Sequence, residues 1–338
     1  MKDGAFITLG IETSCDETAA AVTAAGRRVL SNVIASQIDE HAVFGGVVPE
    51  IASRRHLERI NGVIDAALSE AGVSFAGIDL IGVTEGPGLV GAVLIGLAAA
   101  KAMSFALDKP FVGVHHIKGH IHAVYLEHPA LAPPFLSLVV SGGHTDLIAA
   151  HGYREYEVLG RTRDDAAGEA FDKVARILGL GYPGGPKVDA AAKNGDPHKI
   201  AFKRVMLEKG SLDFSFSGVK TSVLNYVNTE KQAGRSICAA DVAAGFQASV
   251  VDVIVSKTLT ALRKTGYRKL AVGGGVASNS LLRSRLNEAC EASAVELFIP
   301  SPVFCTDNAA MIACAAYYEH KAGRTDRLDL DAKANLAL

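Results

Sequence analysis

Apolar residues recur along this chain in two periods, and the way the periods alternate predicts a mixed α/β fold. Residues 5–11 (Ala-Phe-Ile-Thr-Leu-Gly-Ile) read as a strand, Glu12 to Thr18 as a polar turn, and 19–23 as a second strand running back. Residues 49–71 open on a proline suited to the first helical position and place Ile51, Leu57, Ile60, Ile64 and Leu68 at helical spacing. The opposite face of that helix, with Arg54, Arg55, His56 and Arg59, reads as an exposed basic patch. Leu80 to Thr84 predicts a buried strand, Glu85-Gly86-Pro87-Gly88 a turn, and the small residues up to Leu107 a helix whose stretch 92–106 is apolar enough to be buried.

The second half repeats this order. Residues 135–140 and 147–150 form strands around the turn Ser141-Gly142-Gly143-His144-Thr145. Residues 269–272 form a strand, followed by Gly273-Gly274-Gly275 and a helix from about Asn279 to Ala292. Hairpin and strand–glycine–helix units thus occur once per half, with negligible identity between the copies. Glycines permit close backbone approach and helix N–H groups favour an anion, an arrangement suited to phosphate. Two such lobes, facing each other across a central cleft, form the duplicated actin-like (ASKHA, Hsp70 and sugar-kinase) α/β fold. Between the repeats, 151–268 reads as a helical insertion with helices at 164–179, from Pro186, and at 239–262; a last helix follows Cys305 to Asn308 and runs through Tyr318. The expected division is an N-terminal lobe of 1–115 with helix 308–322 packed back on it, a second lobe of 116–307, and a tail of 323–338.

Five of the eleven histidines fall between Val114 and His128. If this stretch is helical, His116 and His120 stack on one face, with Ile117, Ile121 and Val124 beside them for the core. Two neutral imidazoles at that spacing can share a metal ion, given an acidic ligand from elsewhere. Asp307 is the best placed late carboxylate, although a helix cap also explains it. Composition narrows the class further. Charge is an ordinary 21% and the formal net charge is −2, so no basic excess advertises nucleic acid. Five scattered cysteines without a C-x-x-C pair suit reduced thiols in the cytoplasm, and the first apolar run is too short for a membrane span.

Ten stretches taken together resemble the TsaD family of tRNA adenosine threonylcarbamoyltransferases. They are Ile11–Thr18, Phe44–Arg54, Gly86–Gly88, His116-x-x-x-His120, Ser141–Thr145, Asp164–Lys173, Gly181–Pro186, Phe214–Thr221, Gly273–Asn279 and Cys305–Asn308. The resemblance implies one divalent ion, iron as Fe2+ or else Zn2+, held by His116, His120 and Asp307. It implies that threonylcarbamoyl-adenylate lies across the cleft, against Val139, Val140, Ser141, Gly142 and Gly143 at one end and Asp172, Gly185, Asp189 and Asn279 at its adenosine. The implied reaction transfers the threonylcarbamoyl group to the N6 amine of the adenosine immediately 3′ of the anticodon, in tRNAs reading codons that begin with adenine, and releases AMP. Asp16 and Glu17 are the candidate proton acceptors. The implied partners are tRNA, a TsaB-like paralogue and a TsaE-like ATPase, with no membrane.

Three rivals are weighed. A metallopeptidase needs a glutamate beside the first histidine, where this chain has Ile117. A kinase or ATPase on the same fold would use Glu12, Asp16 or Glu17 for Mg2+, but two histidines aimed at the site are odd for a hard ion. An Hsp70-like binding module would bind without transfer.

Overall fold

The computed structural model describes residues 4–208 and 210–338, so Lys209, which the sequence scatters with Lys199, Lys203 and Arg204 as further cations, lies outside the described residues. The strands and helices run β1 (Ile7–Glu12), β2 (Glu17–Ala24), β3 (Arg28–Ser36), α1 (Ile38–Ala42), α2 (Pro49–Ala71), β4 (Leu80–Gly86), α3 (Val90–Leu107), β5 (Phe111–His115) and α4 (His116–Glu127). There follow β6 (Phe135–Val140), β7 (Thr145–Ala150), β8 (Tyr156–Arg161), α5 (Ala167–Leu178), α6 (Gly184–Ala192), α7 (Ser217–Gln232) and α8 (Ala239–Thr265). Last come β9 (Lys269–Gly273), α9 (Ser280–Ala292), β10 (Glu296–Phe298), α10 (Pro302–Cys305) and α11 (Ala309–Lys321).

The chain divides into two compact units, Met1–Ala132 with Val303–Leu338, and Pro133–Pro302. Each holds a five-stranded sheet, ordered β3-β2-β1-β4-β5 in the first and β8-β7-β6-β9-β10 in the second. In both, the first three strands in sequence form an antiparallel meander and the last two add in parallel. The repeated order of turns is therefore a true duplication of topology. Edge strands β3, β8 and β10, and helix α7, carry no sequence pattern strong enough to announce them.

In the first unit β1, β2, β4 and β5 are buried on both faces, which is why they read as continuous apolar runs. Leu9, Ile11, Val22, Ile81 and Val83 pack with Ile60, Ile64 and Leu68 of α2 and Leu97 of α3. On the other face, Leu80, Val112 and Val114 meet Ala123 of α4 and Met311, Ile312 and Ala316 of α11. Helix α11 lies so close to the sheet that a Cβ on Gly10 or Gly82 would run into Ala309 or Ala316. These two glycines set the spacing of the layer that carries Asp307.

The division differs from the expected one at both ends. Helix α4 belongs to the first unit, because Gly119 lets it press on Met311 and Ile312 of α11. Residues 303–307 join the same unit. The tail is no appendage either: Leu330 and Ala332 pack into the first unit's core. Two helices depart from their expected faces. In α2, Leu57 is 65% exposed, whereas Ala52, His56 and Ala67 turn inward. In α3 only one face is buried; Val90, Leu94 and Phe105 are exposed on the other, with Ala98 and Ala102 between them.

In the second unit α8 is the buried spine, and Phe246 on it packs edge-on against Phe171 of α5 with ring centroids 5.1 Å apart. Helix α5 starts at Ala167 rather than 164, because Asp164 is used differently: its carboxylate accepts from Ser215 Oγ and the N–H groups of Phe216 and Ser217. Asp165 beside it binds both Lys173 and Lys220. Two of the motif stretches thus clasp each other.

Candidate active site and metal centre

Strand β5 ends at His115 and the backbone turns at once into α4, so the helical part of the His-rich stretch is 116–127 rather than all of 114–128. Helical spacing then puts His116 and His120 on one face, with ring centroids 4.7 Å apart and planes at 80°. Asp307 sits just ahead of α11. The cap of that helix is Asn308, whose side chain accepts from Met311 N at 3.0 Å, so Asp307 is not the capping residue. Its Oδ1 lies 3.2 Å from His120 Nε2 and 3.5 Å from His116 Nε2. One ligand atom from each of the three falls within 4.8 Å of the others.

The donor set fits a divalent ion. Ligands about 2.1 Å from a tetrahedral centre stand roughly 3.4 Å from one another. His120 is fully buried, and among the described residues neither of its ring nitrogens makes a hydrogen bond. A buried imidazole in that condition is costly unless something else satisfies it. Two imidazoles and one carboxylate form a borderline set that suits iron or zinc better than Mg2+.

Glu12, at the end of β1, orients His116. Its fully buried carboxylate accepts from Ser14 N at 2.5 Å and Thr84 Oγ1 at 2.7 Å, and lies 3.0 Å from His116 Nδ1. Ser14 Oγ is 3.1 Å from the same nitrogen. With Nδ1 engaged there, Nε2 is left to face Asp307. Burial pulls the His116 pKa down, but Asp307 and Glu12 outweigh it and raise it to about 9. By sequence Glu12 belongs to the Ile11–Thr18 stretch and suits Mg2+ in the kinase rival; its tie to His116 spans 104 positions and leaves no local signal. The neighbouring histidines are structural. His115 accepts from Ile117 N and caps α4, and His122 holds the Lys118 carbonyl; burial lowers both to about 4.

Asp16 and Glu17 follow the same turn. Burial raises Glu17 well above the ordinary carboxyl range, and Asp16 and Asp307 add to the rise. Ser36 Oγ donates to Glu17 Oε1 at 3.2 Å. Burial first, and the acidic neighbours after it, favour the neutral form, so this carboxyl binds a proton more readily than a free one. His56, expected on the exposed basic face, is instead buried. It lies 2.8 Å from Thr18 Oγ1 and donates to the Cys15 carbonyl at 2.9 Å, fixing the backbone just before Asp16. The rest of that patch is largely neutralised, Arg55 by Glu58 and Arg59 by Glu40. Lys199 and Arg204 are likewise paired, with Asp241 and Asp252.

The remaining predicted residues lie in the second unit. Val139 and Val140 are ladder residues of β6 with buried side chains, so only their backbone is available to a ligand. The turn after them is held by Gly168, at the start of α5, whose N–H donates to the Ser141 carbonyl at 3.1 Å. Gly142 and Gly143 are exposed, and a Cβ on either would meet nothing. Asp172, one turn into α5, accepts from Gly184 N at 2.7 Å, which places it beside Gly185, another open glycine. Asp189 accepts from Ser280 Oγ at 2.7 Å and from Asn279 Nδ2 at 3.3 Å, while Asn279 also donates to Gln247. The structure therefore gathers Ser141–Gly143, Asp172 and Gly185 around α5, and pairs Asp189 with Asn279.

Two sheets of one topology define a protein of the actin-like ASKHA class. HypF of T. kodakarensis is similar to 94% of this chain over 48% of its own, with a TM-score of 0.63 at 16% identity. The (R)-2-hydroxyglutaryl-CoA dehydratase component A of Acidaminococcus fermentans is similar to 94% of this chain over 100% of its own, with a TM-score of 0.54 at 16% identity. At such identities the likeness is one of fold alone. Within that class, the family model for TsaD, tRNA N6-adenosine threonylcarbamoyltransferase, matches residues 28–314. Proteins of that description from Clostridium beijerinckii and Clostridioides difficile are 55% and 53% identical to this chain, each alignment covering 98% of both chains. The chain belongs to the TsaD family and is a tRNA threonylcarbamoyltransferase. The kinase alternative is not favoured.

Proposed function

We propose that the threonylcarbamoyl donor is threonylcarbamoyl-adenylate, and that the acceptor is the N6 amine of the adenosine 3′ of the anticodon in tRNAs reading codons that begin with adenine. The observation that carries this reading is the meeting of His116, His120 and Asp307 within 4.8 Å around a buried imidazole without hydrogen bonds. These three would hold the divalent ion, Fe2+ or else Zn2+, which when bound supplies positioning and charge stabilisation for the acyl group.

The exocyclic amine is a weak nucleophile, so proton removal matters. As a bond forms between N6 and the carbamoyl carbon, the bond from that carbon to the AMP phosphate oxygen breaks, and the N6 proton passes to the Asp16–Glu17 pair. Within the pair, burial and the Asp16 and Asp307 charges raise the proton affinity of Glu17. Within the second unit, Asp189 and Asn279 are assigned to the ribose and base, and the open backbone at Gly185, beside Asp172, to close approach. The Ser141–Gly143 turn offers N–H groups for developing negative charge.

Partners belong to the same proposal. With a net charge of −2, and with Arg55 and Arg59 of the α2 patch paired to Glu58 and Glu40, the chain is a weak attractor for tRNA. Helices α3 and α8 are both long and apolar enough to cross a membrane, but α8 is mostly buried. We read the exposed stripe of α3 as a docking face for a TsaB-like paralogue, which with a TsaE-like ATPase would complete the machinery in the cytoplasm. The test is mass spectrometry of tRNA nucleosides after incubation with the adenylate, tRNA and these partners. His120→Ala should lose both the modified adenosine and the bound ion. Full transfer by an ion-free protein would overturn the metal assignment, and full transfer by Asp16→Ala and Glu17→Gln would remove the proton acceptor.

A further inference from the structure

The last fifteen residues run beside β5 from its first residue to its last, pass the C-terminal end of β4, and are pinned at several points. Asp326 N–H donates to the Phe111 carbonyl at 2.9 Å, and Asp326 Oδ2 accepts from Gly113 N at 2.8 Å. Arg324 and Lys333 close on the two oxygens of the buried Glu85 carboxylate, each at 2.9 Å. Lys333 N–H also donates to the Glu85 carbonyl, and Gly88 N–H donates to that of Ala334. The segment is so tight on the sheet that a Cβ on Gly86 would strike Lys333, and one on Gly113 would strike Leu330. It then reaches His115, whose Nε2 lies 3.1 Å from the Leu336 carbonyl.

That last contact fixes a tautomer. A carbonyl only accepts, so Nε2 must carry the proton, and Nδ1 of the neutral ring becomes an acceptor. Nδ1 is the atom that takes the Ile117 N–H at 3.1 Å and caps α4. The chain of contacts runs from Leu336 through His115 to the first turn of the helix that bears His116 and His120.

We propose that the C-terminal segment is a positioning strap for this helix, acting through the Leu336 carbonyl and the His115 ring on the two histidine ligands. The proposal rests on the reading of His116, His120 and Asp307 as metal ligands. His115 touches neither ion nor substrate in this scheme; it is a positioning residue.

Two variants of the full chain test the strap. One ends at Ala334, which keeps the Lys333–Glu85 and Gly88–Ala334 contacts and removes the Leu336 carbonyl. The other is His115→Asn, which keeps a side chain able to cap but cannot reach the strap. Hydrogen exchange of the Ile117 amide is followed in ion-free protein, and Co2+ and Zn2+ affinities are measured by chelator competition. Both variants should speed Ile117 exchange and weaken ion binding about two- to tenfold, the effect of losing one hydrogen bond, and combining them should add little. Wild-type exchange and affinity in the variant ending at Ala334 would overturn the proposal, even if His115→Asn were impaired. Should no form bind an ion, wild type included, the metal reading fails, and Ile117 exchange alone still decides whether the strap holds the helix.

Discussion

The two units share one strand order and use it for opposite purposes. At the end of β1 the chain places Glu12 and packs the turn after it with Ser14, Asp16 and Glu17; at the matching end of β6 it places Val140, followed by two exposed glycines. The strand–glycine turns diverge in the same way. After β4 the turn is covered by the C-terminal segment, through Gly88 N–H and Ala334, whereas after β9 the chain goes on to Asn279, which caps α9 and binds Asp189. Topology brings loops to the C-terminal ends of the parallel strands in both copies, where sites form in open α/β sheets. Side-chain chemistry then gathers His116, His120 and Asp307 in one copy, and sets exposed glycines beside Asp172 in the other.

The largest effect that should separate the units comes from Glu12. Glu12→Ala should weaken ion affinity about 10- to 100-fold, as loss of a carboxylate partner to a histidine ligand does, and Glu12→Gln should cost less. Adenylate affinity measured without the ion should not change; an unaltered ion affinity would separate Glu12 from the centre. Glycine spacing gives the next contrast. Gly82→Ala, where Ala316 already occupies the space, should destabilise by about 1–3 kcal/mol in denaturant titrations. Gly143→Ala, which meets nothing, should stay within about 0.5 kcal/mol. In the second unit, Asp189→Ala should raise the dissociation constant for the adenylate up to about tenfold by calorimetry while leaving ion content at the wild-type level.

The smallest contrast is in pH. Burial raises Asp146 to about 6 despite Arg161. A carboxyl with a raised folded pKa contributes stability below its ordinary range and loses it as pH rises through 6. Asp146→Asn should therefore stabilise by roughly 1 kcal/mol at pH 8 and by nothing at pH 4, read from thermal melts. The sign reverses in the first unit. Burial lowers His122 to about 4, so its unfolded form takes a proton first, and stability is lost as pH falls from the ordinary histidine range toward 4. A His122→Gln variant should show a shallower acid limb.

What could be read in advance was local. Helix α2 appeared within its observed limits, Pro49–Ala71, because a proline start and a 3.6-residue period lie within one stretch. The separation of His116 and His120 is likewise a property of one helix. The residues misjudged were those whose environment is made by distant chain. His56 looked exposed because its neighbours are arginines, yet the turn at Cys15 and Thr18 buries it. Helix α3 looked buried because its residues are apolar, yet among the described residues no element covers its Val90–Phe105 stripe.

Local pattern was enough to show which segments alternate, where the glycine turns fall, that the plan is used twice, and that two imidazoles share a helix face. These follow from backbone periods and from residues that only certain backbone angles admit. The tertiary structure alone decided that Asp307 reaches those imidazoles while Asn308 takes the cap, that Glu12 backs His116, and that the final residues brace His115. Each of these depends on how closely α11 and the C-terminal segment lie against one sheet, a distance set by packing at glycines far apart in the chain.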